Sequence, residues 1–315
     1  DRDHYWEAFA TFNMSVVRKG QTLYGVYRAI SAKDIMSIPE QISTIGLGES
    51  KDGTHFEKRR QFITPQEDWE KFGCEDPRIT FFEGRYYIFY TALGGYPFSA
   101  ENIKVAVAIS KDLKQVDQRH LVTPFNAKAT ALFPERIKGK VVLILTAYTD
   151  QPGTRMAIAE ANEVTDFGNP KFWEKWQVNL DKNTINPRRS PSDHIEVGAQ
   201  PIKTKRGWLL IYAHIQNYFP NVENHRPVFG IEALLLDATN PKKIIGGTRG
   251  PIIAPNEAYE ISGHINNTIF PSGAILMGDK LTIYYGATDT TVSKAHVSLT
   301  DLLGTIDPKS SSRWQ

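Results

Sequence analysis

The sequence predicts an all-β chain folded as a five-bladed β-propeller around a central funnel, on three observations. A glycine-bearing turn followed by an apolar strand recurs five times. The glycines of these turns, at positions 20, 84, 139, 207 and 278, are 64, 55, 68 and 71 residues apart. Helical periodicity is nearly absent between them. Self-similarity at this period marks a repeat architecture, and units of four antiparallel strands close radially into a propeller that protects its sheet edges. Two β-sandwiches are the other arrangement considered. The even spacing and the lack of a linker near the middle disfavour them, so residues 1–315 are expected to form one propeller domain.

The copies follow in order. The first is Lys19-Gly20-Gln-Thr-Leu-Tyr-Gly-Val-Tyr-Arg28, and the second is Glu83-Gly84-Arg-Tyr-Tyr-Ile-Phe-Tyr90. The third is Lys138-Gly139-Lys-Val-Val-Leu-Ile-Leu145, the fourth Arg206-Gly207-Trp-Leu-Leu-Ile-Tyr212 and the fifth Gly278-Asp279-Lys-Leu-Thr-Ile-Tyr-Tyr285. Their aromatic and β-branched residues suit strands. Second strands running into polar turns follow at Val105–Asp112, Met156–Ala159, Ile231–Asp237 and Ala295–Asp301. The stretches 31–62, 160–194, 215–228 and 240–268 read as long irregular loops, usual at binding rims. Trp173, Trp176, Tyr218, Phe219 and Tyr259 within them favour ordered rims.

A chain of 315 residues with formal net charge +2, 41% hydrophobic and 23% charged, has ample length for a core. That near-neutral balance argues against nucleic acid or an anionic membrane as the main partner. Aromatic content of 11% suits β-structure and sugar or peptide surfaces. The single cysteine, Cys74, excludes an internal disulfide and a multi-cysteine metal site. No apolar run approaches a membrane span. The chain opens at Asp1 without methionine, so a removed segment is expected, with a periplasmic or cell-surface location slightly favoured.

Chemistry is most concentrated at Glu75-Asp76-Pro77-Arg78, just before the apolar run Ile79 to Tyr90. Asp76 is expected at a strand mouth, with Pro77 pushing it into one extended geometry. The plain alternative is a turn in which Asp76 pairs with Arg78.

These residues, with others in every blade, resemble glycoside hydrolase family 130, whose five-bladed propellers cleave β-mannosidic bonds. The segments that carry the resemblance are Phe12-Asn13, Tyr27-Arg28-Ala29, Gly73 to Arg78, Ala131-Leu-Phe-Pro-Glu135, Pro201-Ile-Lys-Thr204 with Gly207-Trp208, and Phe270-Pro-Ser-Gly273 with Tyr284 to Asp289. The resemblance implies that Asp76 is the general acid, acting through the 3-hydroxyl of the mannose in the −1 subsite, in an active site at the funnel. It implies that Asn13 and Arg28 hold that mannose. Arg28 has a structural ion pair as its alternative, and Asp289 could bind sugar or cap a turn. Glu75, Arg78, Lys203, Tyr212 and Glu260 complete the expected substrate-binding set. The implied partner is a mannose-containing oligosaccharide, with no metal and no cofactor.

The family contains phosphorylases and hydrolases. Phosphorylase members carry an Arg-Asn pair where this chain has Ala127-Lys-Ala-Thr130, and a His where it has Ala213, with His214 one place on. A phosphate site needs clustered cationic donors. Glu196 in His194-Ile-Glu-Val-Gly198 and Glu232 in Phe229-Gly-Ile-Glu-Ala lie instead in short apolar strands, where an unpaired charge is costly. Facing the funnel, either or both would supply the base of an inverting hydrolase; facing solvent, Glu232 would be ordinary. The expectation is therefore an inverting glycosidase acting on β-1,2-linked mannosides. The alternatives are a phosphorylase holding phosphate through Lys203, Lys128 and His214, or a carbohydrate-binding propeller without catalysis. An arabinose- or xylose-directed propeller is conceivable on fold alone. Zinc-type His spacing, a nucleophile elbow and a phosphate-cradling glycine loop are all missing.

Overall fold

Two of the predicted turns show why these segments become hairpins. Glu83-Gly84 and Lys138-Gly139 have positive φ at both residues, at 43° and 82° and at 49° and 77°. Such two-residue turns match the twist of the strands they join, and glycine takes the second position without strain.

The computed structural model describes residues 4–149, 151–219 and 226–306. Blade 1 is β1 (Ala10–Lys19), β2 (Thr22–Ile30), β3 (Ser43–Ser50) and β4 (Glu57–Ile63), and blade 2 is β5 (Cys74–Phe82), β6 (Arg85–Leu93), β7 (Ile103–Ser110) and β8 (Gln118–Leu121). Blade 3 is β9 (Ala127–Leu132), β10 (Val141–Ala147), β11 (Arg155–Ala161) and β12 (Thr184–Ile185), with α1 (Pro170–Val178) and α2 (Leu180–Asn183) inserted before its last strand. In blade 4, β13 (His194–Val197) and β14 (Ile202–Thr204) both pair with β15 (Gly207–Gln216), followed by β16 (Val228–Leu236) and β17 (Ile244–Gly247). The short helix α3 (Ala258–Ile261) precedes blade 5, which is β18 (Ile269–Met277), β19 (Lys280–Ala287) and β20 (Thr291–Ser298), and α4 (Leu299–Thr305) follows.

Every named strand pair is antiparallel, and each sheet runs outward in chain order. The apolar residues form layers between consecutive blades, from Val26 and Ile79 between blades 1 and 2 to Ile211 and Ile283 between blades 4 and 5. Blade 5 closes on blade 1, where Tyr284 packs with Met14 and Tyr27 and its hydroxyl donates to Gly53 O at 2.8 Å. The chain is a five-bladed β-propeller.

Three expectations need correction. Blade 5 has three strands among the described residues, not four. The stretch 31–62 contains β3 and nearly all of β4, whose charged and glycine-rich residues hide their strand character. Trp173 and Trp176 do not line a rim. They are buried on the flank of blade 3, their indole N–H groups donating to Phe167 O and Ile158 O, each at 2.8 Å. Residues 220–225 of the expected 215–228 rim lie outside the described residues.

Candidate active site

The innermost strands of blades 1, 2 and 3 share one backbone defect. Phe12 pairs with Arg28, Glu75 with Thr91 and Lys128 with Thr146. One step later two residues of the inner strand oppose a single partner residue, and the first of the two is Asn13, Asp76 or Ala129. These three have φ of 51°, 50° and 46°, the left-handed region that non-glycine residues seldom enter. A bulge of this kind bends a strand and re-aims a side chain, often beside an active site. Asp76 is therefore not extended as its place before Pro77 suggested. The bulge overrides the proline preference, and Arg78 Nη1 fastens it by donating to Asp76 O at 2.9 Å.

Asn13, Arg28, Glu75, Asp76, Thr91 and Lys128 from these blades line a cleft of about 240 Å³. His194, Glu196 and Tyr218 of blade 4 and Phe270 and Asp289 of blade 5 complete it, so every blade contributes.

Asn13 Nδ2 donates to Asp76 Oδ1 at 2.7 Å. Arg28 pairs closely with Glu75, lies 3.6 Å from Asp76 Oδ1, donates from Nε to Ser43 Oγ at 3.1 Å and sits 4.9 Å above the Phe12 ring. One guanidinium thus serves two carboxylates, a role suited to its rigid fork. Burial would raise the Asp76 carboxyl, but the charges of Arg28 and Arg78 and the Asn13 hydrogen bond outweigh it and hold the group below its ordinary range. Glu75 moves the other way: burial raises it, Arg28 offsets part of the rise and Asp76 adds to it. Asp289 is also raised, by burial first, with the same two neighbours acting in the same senses. The cleft therefore holds one carboxylate that keeps its charge more firmly than usual beside two that take up protons more readily.

Blade 4 separates the two expected bases. Strand register pairs Glu196 with Ala213, and Tyr212 with Glu232. Paired residues share a face and neighbours alternate, so Glu196 and Glu232 lie on opposite faces of the sheet. Glu196 faces the cleft, its Oε2 3.1 Å from His194 Nε2 and 3.6 Å from Lys128 Nζ. Glu232 is 1% exposed and does not line the cleft. Arg189 grips both its oxygens at 2.8 and 2.6 Å, Tyr212 donates to it at 2.9 Å, and His214 Nδ1 lies 3.4 Å away. Burial opposes its charge, yet the His214 and Arg189 contacts bring its pKa down to about 2.

Four more expected residues leave the cleft. Arg78 is fully buried and binds backbone oxygens in three blades, those of Asp76, Gly198 and Pro271, so it locks the centre of the ring. Tyr212 serves Glu232. Glu260 accepts from the backbone N–H of Asn256 and Glu257 and from Tyr285 Oη, and so shapes the turn at α3. Lys203 pairs with Glu135 on the exposed flank. His214, the alternative phosphate ligand, is buried against Asp193 at 2.9 Å.

Thr91 and His194 had no assigned role in the sequence, Tyr218 was expected only as a rim aromatic, and Phe270 only as part of the resemblance. Thr91 was findable in hindsight, since it occupies in blade 2 the place of Arg28 in blade 1. Thr91 Oγ1, Asn13 Oδ1 and His194 Nδ1 are buried polar atoms without a hydrogen-bond partner among the described residues. Such groups ordinarily find one, and these three belong to residues that line the cleft. Among the described residues no cluster of His, Cys, Asp and Glu is placed to hold a metal, and no helix is long and apolar enough to cross a membrane.

The glycoside hydrolase 130 family model, described as β-1,4-mannooligosaccharide phosphorylase, matches residues 4–307. The chain belongs to glycoside hydrolase family 130. It is 31% identical to a β-1,2-mannobiose phosphorylase of Thermoanaerobacter sp. strain X514, over 93% of this chain and 92% of that protein. It is 29% identical to a 1,2-β-oligomannan phosphorylase of the same organism, over 95% and 94%. The structure of β-1,2-mannobiose phosphorylase from Listeria innocua in complex with β-1,2-mannobiose superposes with TM-score 0.74 and 21% identity, covering 95% of this chain and 92% of that one. These relatives overturn the expectation of a glycosidase, since they are phosphorylases and transfer the sugar to phosphate. The glutamates read as replacing a cationic pocket are not uncompensated charges: Arg189 grips Glu232 away from the cleft, and Lys128 lies 3.6 Å from Glu196 within it.

Proposed function

We propose that this protein cleaves β-mannosides, β-1,2-linked mannooligosaccharides foremost, by transferring the terminal mannose to inorganic phosphate. The observation that carries the reading is the clasp of Asn13 and Arg28 on Asp76, with the Lys128 ammonium in the same cleft. An acid and a cation in one small cleft suit a reaction whose leaving oxygen needs a proton and whose nucleophile is an anion. Near full-length similarity to β-1,2-mannoside phosphorylases supports the same choice.

In this scheme Asn13, Arg28 and Asp289 hold the mannose. Asp76 starts as the carboxylate and takes up its proton as the sugar displaces water and engages Arg28. The proton then reaches the leaving oxygen through the sugar 3-hydroxyl, while phosphate at Lys128 attacks C1 and inverts it. Incubation with β-1,2-mannobiose tests the proposal. Mannose 1-phosphate plus mannose should form only with phosphate present. Two equivalents of free mannose without phosphate would refute it.

A further inference from the structure

Glu196 is an unexpected neighbour for an anion. Its side chain is 5% exposed, it faces the cleft, and both its close contacts, His194 Nε2 and Lys128 Nζ, fall on Oε2. Among the described residues neither of these contacts falls on Oε1. A carboxylate is an acceptor only, so a second anion can approach it only through a proton of its own. Inorganic phosphate carries such a proton at neutral pH, whereas sulfate, a tetrahedral dianion of nearly the same size, does not.

We propose, resting on the phosphorolytic reading above, that Glu196 selects a protonated phosphate by accepting a hydrogen bond from its P–OH group, with Lys128 neutralising the remaining charge. The balance of the reaction then closes within the cleft. A phosphate oxygen bonds to C1, and the C1–O bond to the leaving sugar breaks with its electron pair on oxygen. That oxygen takes the proton relayed from Asp76, and the proton of hydrogen phosphate passes to Glu196. Return of this proton to Asp76 through solvent resets the site. The cleft thus holds a donor on blade 2 and an acceptor on blade 4, and no net proton is consumed. The acceptor also confers specificity, because an anion without a proton meets an unrelieved like charge.

The test measures mannose 1-phosphate release from β-1,2-mannobiose at pH 7 with sulfate as competitor, in the wild type and in Glu196→Gln. In the wild type the inhibition constant for sulfate should exceed the phosphate KM by at least about tenfold, the scale of one disfavoured charged contact. In Glu196→Gln the amide can donate to any oxyanion, so sulfate inhibition should tighten by about the same factor. Sulfate competing in the wild type at a concentration near the phosphate KM, with phosphorolysis intact, overturns the role of Glu196 alone. Should the variant not fold, that wild-type measurement still decides. Absence of mannose 1-phosphate at every phosphate concentration removes the phosphorolytic reading itself, a separate result.

Discussion

Replacing Glu232 by Gln keeps the shape of the side chain and one acceptor oxygen, removes the charge, and puts an amide NH2 where Arg189 or Tyr212 had an oxygen to bind. The native group sits at about 2 against an ordinary 4.5, a depression worth about 3 kcal/mol of folding stability at neutral pH. The sign follows from the direction. A carboxylate lowered in the folded state stabilises fully above its unfolded pKa and loses that stabilisation as pH falls through the folded value. About half should remain at pH 3. Unfolding a chain of 315 residues carries an entropy of roughly 0.66 kcal/mol per kelvin. Glu232→Gln should therefore melt about 5 °C lower at pH 7 and about 2 °C lower at pH 3. Thermal unfolding followed by circular dichroism across that range reads both numbers. A gap of constant size from pH 7 to pH 3, or no gap at all, would refute the assignment of this charge to folding. Turnover per folded molecule should fall by less than about tenfold, because loss of an acid or base that touches the reaction costs about 10²–10⁴. A larger loss would return Glu232 to the chemistry.

Other outcomes follow from the same geometry. Asp76→Asn should reduce phosphorolysis by about 10²–10⁴ in a chain that still folds, since Asn tolerates the left-handed backbone at this bulge, and should melt lower at neutral pH because this carboxyl too is held below its ordinary range; near-normal turnover would exclude Asp76 as the donor. Arg28→Ala should lower kcat/KM at least about tenfold through lost charged hydrogen bonds. It should also move the alkaline limb of the pH profile upward, because Asp76 must be protonated to act and Arg28 is what depresses it; an unmoved limb would contradict the coupling. Arg78→Met should cost about 3 kcal/mol by stranding buried carbonyls of three blades, visible as a lowered denaturant midpoint, and unchanged stability would deny the locking role. Lys203→Ala should leave the phosphate KM within about twofold, as an exposed ion pair on the flank predicts; a large rise would place phosphate there.

The blades were legible because each announces itself with the same turn and apolar strand, and local chemistry alone makes those hairpins. Asn13, Arg28 and Asp76 were found through the resemblance, and the cleft does bring them together. The bulges were not legible, since Asn13-Met14, Asp76-Pro77 and Ala129-Thr130 share no residue type and only pairing across strands exposes the defect. Glu196 and Glu232 looked alike for a related reason. Each is one charge in a short apolar strand, and only the register between β13, β15 and β16 shows that they face opposite ways. Arg189 lies in a loop far from Glu232 in sequence, so nothing local signalled the partner that draws Glu232 out of the chemistry. The third strand of blade 1 escaped for want of the usual apolar residues, its glycines leaving room for Tyr27 and Phe56.

The recurring bulge separates two jobs that a strand normally performs together. In a regular strand, a residue that turns toward the funnel commits its neighbours to the layers between blades, and exchanging one disturbs the other. At the bulges, an extra residue is spliced in, so the side chain offered to the funnel is decoupled from the alternation that packs the blades. In blades 1 and 2 the same socket offers an amide and an acid to the cleft. In blade 3 the bulge turns the other way: Ala129 is buried in the apolar layer with Ile195 and Val197, and its neighbour Lys128 reaches the cleft instead. One backbone device therefore delivers an amide, an acid or an ammonium to the funnel, according to which side of the bulge carries the polar residue.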